Sequence, residues 1–164
     1  AVWLGINWLT AFAVSMVRGI FDEVVAQVVA LAVLMPIVAS MGGITGSQTL
    51  TLTIRGLATG QLATSNLRAL GNKEVLVAFF NGLLWALVVS AITTVWFDNT
   101  WLSAIIALAL IINMLIAAIA GIMIPVLLDK MGIDPALAGS VILTTVTDVV
   151  GFFVFLGSAS LLLV

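Results

Sequence analysis

The sequence has no cysteine and no histidine, and only 7% of its 164 residues are charged. Each shortage excludes something. Without cysteine there is no disulfide, and the chain carries no mark of its redox compartment. Without thiolate or imidazole, a zinc or copper site lacks its preferred ligands, so any metal handled here meets oxygen. Oxygen ligands point to hard cations. Soluble domains carry about 25% charged residues, and charge this sparse leaves no room for a soluble domain. The net charge of −2 gives no nucleic-acid footprint. Ala1 is not an initiator methionine, and no signal peptide is visible.

What the chain does have is apolar length: 63% of its residues are hydrophobic. Five segments are expected as membrane-crossing helices of an all-α membrane protein, at residues 2–21, 24–54, 75–97, 101–128 and 135–164, and together they form one domain over 1–164. A crossing needs roughly 20 residues of helix. Trp3 and Trp8 near the first start, and Trp96, Phe97 and Trp101 around the break at Asp98-Asn99, read as interfacial anchors among membrane lipid. Arg55, Arg68, Lys73 and Lys130 lie in the connections after segments two and four, against Arg18 alone after segment one. The positive-inside rule then puts those even connections and the N-terminus in the cytoplasm, and the C-terminus outside. The polar stretch from Arg55 to Glu74 reads equally as a surface helix, an extension of segment two or a plain loop.

Two segments are not uniformly apolar. Segment two runs Met35-Pro36-Ile37-Val38-Ala39-Ser40-Met41-Gly42-Gly43-Ile44-Thr45-Gly46-Ser47-Gln48. Pro36 removes a helix hydrogen bond and is expected to kink the segment. Gly42 and Gly46 make a small-xxx-small pair that lets another helix approach. Non-helical backbone lining a water-filled cavity is the other use of such glycines. Ser40, Ile44 and Gln48 share one helical face, and Thr49, Thr51 and Thr53 continue the polar run. A ladder of hydroxyls and amides suits a pore wall better than a lipid face.

The second such segment holds Thr144-Thr145-Val146-Thr147-Asp148-Val149-Val150-Gly151 midway along residues 135–164. Asp148 therefore lies near the membrane midplane, where a carboxylate costs at least about 2.5–3.5 kcal/mol, and such acids mark ion or proton pathways. One turn before it come Thr144 and Thr145, two turns before it Ser140, and one turn after it Gly151. Two lone amides remain. Asn81 reads as an interhelical hydrogen bond worth about 0.6–2 kcal/mol. Asn113 is a candidate support for the face carrying Asp148.

The stretch from Pro36 to Gln48, with Asp134-Pro135-Ala136 and the stretch from Thr144 to Gly151, resembles the transmembrane domain of MgtE-type magnesium channels, which are related to the solute-carrier 41 magnesium transporters. The resemblance covers essentially the whole chain. It implies a homodimer with five helices per chain and a magnesium pore on the two-fold axis, walled by segments two and five. It further implies a bacterial inner-membrane location. By the resemblance, Asp148 is the pore aspartate, and Thr144, Ser140 and Ser40 join it in meeting Mg²⁺ or other divalent cations. Gly42, Gly43, Gly46, Gln48, Thr145 and Gly151 are implied to line the pore. Ile44 stands where members usually carry Asn, which removes an amide from the face expected to meet the hydrated ion. The cytosolic regulatory modules usual in the family are not in this sequence.

Two other function classes compete with a channel. A carrier coupled to protons or Na⁺ would use Asp148 in turn, but no inverted repeat is evident and five helices do not halve. A membrane anchor without transport needs neither a midplane acid nor a polar ladder. An enzyme is not expected: there is no His or Cys, and an aspartyl dyad would need a second chain.

Overall fold

The computed structural model describes residues 2–60 and 64–162. Residues 61–63 of the polar stretch, and 163–164 of the last expected helix, lie outside that range. Every element in the described residues is a helix: α1 (Val2–Ile20), α2 (Asp22–Gln27), α3 (Val29–Ala58), α4 (Thr64–Phe97), α5 (Thr100–Lys130) and α6 (Pro135–Leu162). An apolar run in hydrocarbon must satisfy its own backbone groups, and the α-helix does so within one segment.

Four of these helices, α3 to α6, are long and apolar enough to cross a membrane. The chain is an integral membrane protein, and among the described residues these four helices meet that length and apolarity. The first expected segment forms α1, whose 19 residues include Asn7 and Arg18; it has no buried residue and lies along α6. The expected second segment is also divided. The chain turns at Val28, leaving a six-residue α2 before α3 begins. The polar stretch after α3 is no single surface helix: Arg55 belongs to the end of α3, and from Thr64 onward the residues begin α4.

α5 is the centre of the bundle, with α3, α4 and α6 packed around it and α3 also against α6. Its buried Leu102, Ile105, Ile106, Ala109 and Leu110 join Leu31, Leu34 and Val38 of α3 and Phe155, Leu156 and Ala159 of α6 in the main core. A smaller cluster of Leu50, Ala120 and Leu143 fills the other end. The outward faces are apolar too: Phe80, Leu84, Leu87, Val95 and Trp96 of α4 are all exposed. That suits a lipid solvent, which wets such a face as readily as the core does.

The turns are short and chemically marked. Asp98 adopts a left-handed φ of 50° between α4 and α5, a conformation that Asp tolerates better than most residues. Asn99 then caps α5, its Oδ1 accepting from the Leu102 N–H at 3.1 Å. Gly132 takes φ 75° after α5, and Asp134 opens α6 by accepting from the Ala136 N–H at 3.0 Å, with Pro135 at the first helical position.

Candidate functional site

Asp148 is the 14th of the 28 residues of α6, roughly 20 Å of helix from either end. Its side chain is half-buried. With Thr144 and Thr145 it lines a cavity of about 140 Å³, whose opposite wall is Asn7, Thr10, Ala11 and Val14 of α1. The polar neighbours of the carboxylate thus include residues from the N-terminal helix. Asn7 was missed in the sequence because the tryptophans beside it drew the reading toward an interfacial anchor. A lone Asn followed at i+3 by Thr within an apolar helix was the available signal.

The hydroxyls of this site are oriented. Thr144 donates to the Ser140 carbonyl at 2.7 Å, Thr145 to the Val141 carbonyl at 2.8 Å, and Thr10 to the Asn7 carbonyl at 2.8 Å. Each hydroxyl has one proton and two acceptor lone pairs. With the proton turned back onto its own helix, the oxygen facing outward is an acceptor. The carboxylate of Asp148, when ionised, is acceptor-only as well. A fully hydrated cation presents the hydrogens of its water shell, so a wall of acceptors matches it. Among the described residues no three acidic side chains gather into a metal cage. The chain therefore offers an ion one carboxylate and several hydroxyl oxygens at this cavity.

The α3 residues divide between two faces. Ser40, Ile44, Ser47, Gln48 and Thr51 are exposed along one stripe of α3, and none of them lines the Asp148 cavity. Ile44, at 55% exposure, sits in the middle of this otherwise polar stripe. Gly43 is open, with nothing within 4 Å of where a Cβ would stand. Gly42, Gly46 and Gly151 are buried within the bundle. Gly42 meets Asn113 of α5, Gly46 meets Leu143 of α6, and Gly151 meets Asn113 and Val38. The glycine-rich stretch stays helical from Val29 to Ala58, through Pro36. Its glycines serve close approach rather than unwinding, because a missing side chain lets two backbones come together without breaking either helix. On α6, Ser140 and Thr144 are exposed on the same face as Asp148. Asn81 is exposed on α4, pointing away from the bundle where an interhelical bond was expected, whereas Asn113 is wholly buried.

A helical bundle with four helices long and apolar enough to cross a membrane, and one carboxylate midway along α6 beside threonine oxygens, defines an integral membrane protein with a polar site between α1 and α6. Residues 35–158 match the model of the MgtE family, described as divalent cation transporters. The chain is 36% identical to the magnesium transporter MgtE of Thermus thermophilus over 161 residues, 98% of this chain and 36% of that protein. It is 31% identical to the magnesium transporter MgtE of Bacillus subtilis over 140 residues, 85% of this chain and 31% of that protein. The chain belongs to the MgtE family, a family of transporters and not of enzymes. It spans about a third of the length of these curated relatives.

Proposed function

We propose that this chain forms the pore of a magnesium channel, acting as a homodimer in which two Asp148 carboxylates face one hydrated ion. The observation that carries the reading is the half-buried carboxylate at mid-helix beside outward-facing threonine oxygens. Membership of a divalent cation transporter family supports it. The direction of transport is into the cytoplasm, with Arg55, Arg68, Lys73 and Lys130 on the inner side.

Charge sets the preference for divalent ions. Mg²⁺ sheds water reluctantly and usually keeps several waters when bound. A carboxylate about 5 Å from a doubly charged ion contributes roughly 6–7 kcal/mol at an effective dielectric of 20, before desolvation offsets much of it. Two carboxylates balance a divalent ion, whereas a monovalent ion leaves one negative charge uncompensated. One protomer supplies half of that balance, and one polar face is a groove. Pairing two faces across a two-fold axis closes the groove and completes the charge.

The deciding experiment is Mg²⁺ flux into proteoliposomes by Asp148→Asn, which keeps the shape and removes the charge. Divalent selectivity should be lost, and flux of Mg²⁺ should fall sharply at unchanged folded yield. Parental Mg²⁺ transport by this variant would remove charge at position 148 from the mechanism. Cysteines placed beside Asp148 should cross-link between chains, and full activity from a proven monomer would end the two-chain pore.

A further inference from the structure

Asn113 is the most deeply buried amide of the bundle, 0% exposed in the middle of α5. Its Nδ2 donates to the Val38 carbonyl of α3 at 3.0 Å. Its Oδ1 has no partner among the described residues. The carboxamide occupies a slot made by two glycines on two other helices. A Cβ on Gly42 of α3 would overlap its Nδ2 and Cγ. A Cβ on Gly151 of α6 would come 2.8 Å from Nδ2, 3.1 Å from Cγ and 3.1 Å from the Val38 Cγ1. One side chain thus touches α3 and α6 at once.

An unpaired buried carbonyl destabilises, and an apolar residue of similar shape avoids that cost. What the amide adds is position. An apolar contact tolerates sliding along a helix, but a hydrogen bond to one backbone carbonyl selects a single axial register. The two glycines restrict the slot further, because moving either helix by a residue would bring a side chain into it. Gly151 lies one turn from Asp148 on the same face of α6, and Gly42 lies within the Ser40 to Gln48 stretch of α3. The register locked at Asn113 is therefore the register of the carboxylate against the glycine-rich helix.

We propose that Asn113 is a positioning residue whose carboxamide, wedged between Gly42 and Gly151, holds α3 and α6 in the axial register that sets the depth of Asp148. The functional part rests on the pore reading above; the geometric part does not. The test uses the whole reconstituted protein with cysteines introduced at the exposed Val33 of α3 and Leu161 of α6, which are the only thiols this chain then contains. They carry spin labels, diluted with unlabelled protein. Asn113→Ala should shift or broaden the α3–α6 distance distribution. It should lower Mg²⁺ flux per folded protein about tenfold, the order by which residues that touch no ligand modulate a site through packing, and reduce the Mg²⁺ to Ca²⁺ flux ratio. Gly42→Ala should do the same by displacing the amide, and it serves alone if Asn113→Ala does not fold. The double variant should be no worse than Asn113→Ala, because the added methyl enters the space the amide has left. An unchanged distance distribution, or losses that add in the double variant, overturns the lock. Shifted distances with parental flux and ion ratio overturn the functional part. If Asp148→Asn also transports normally, the pore reading has failed instead, and the distances and the double variant alone judge the lock.

Discussion

Gly46 of α3 stands directly against Leu143 of α6: a Cβ at position 46 would come 2.9 Å from both Leu143 methyl carbons. Gly43, three residues earlier, faces open space. The same residue type therefore does two different things within one turn of helix. Gly46→Ala should destabilise the bundle by about 1–3 kcal/mol through overpacking. Gly43→Ala should hold or raise stability, by up to about 1 kcal/mol, because a Gly inside a helix costs that much relative to Ala, while Gly43→Leu should reduce Mg²⁺ flux without loss of folded protein. Thermal unfolding in detergent, run beside flux in liposomes, separates the two. A Gly46→Ala variant as stable as the parent would show that the α3–α6 approach is looser than it stands here.

Thr144 tests the acceptor wall. Its proton is committed to the Ser140 carbonyl, so its contribution to the cavity is a lone pair. Thr144→Val keeps the shape and deletes that acceptor, and Mg²⁺ flux should fall about fivefold, the equivalent of one hydrogen bond of about 1 kcal/mol. Thr144→Ser keeps the hydroxyl and should retain most of the flux. Equal flux from the valine variant would mean that no water of the ion meets this oxygen.

Asn7 tests whether α1 belongs to the site or only covers it. The residue lines the Asp148 cavity from across the helix interface. Asn7→Leu should fill that cavity with methyl groups and lower Mg²⁺ flux several-fold, with insertion undiminished because an apolar residue enters a membrane more readily. The measurement is flux normalised to folded protein. Parental flux would assign α1 a packing role alone.

Asp148 stood out as a candidate without coordinates for an energetic reason: a carboxylate midway along a long apolar run is costly whatever the neighbouring helices do. The helices themselves were legible because lipid leaves a spanning backbone no other way to satisfy its polar groups. The chain's membership of a transporter family rests on stretches that are contiguous in sequence, so it too could be read in one dimension. The facing of the glycines was not legible. Periodicity says that Gly42 and Gly46 share a side of α3, but not whether that side meets another helix or a pore. That depends on α5 and α6, more than sixty residues away, which bring Asn113 and Leu143 against them. The break at Val28 and the lodging of α1 on α6 were hidden likewise, since no proline or glycine marks either.

Sequence by itself determined that this is a helical membrane protein with one acid midway along its last helix, because hydrophobicity and the cost of a buried charge are properties of single segments. Tertiary structure alone decided what the acid sees. The cavity pairs Thr144, Thr145 and Asp148 with Asn7 and Thr10, and the slot pairs Gly42 with Gly151 around Asn113. The physical reason is that helix association in lipid is set by close packing and hydrogen bonds between distant residues. Neither leaves a period in the sequence of any one helix.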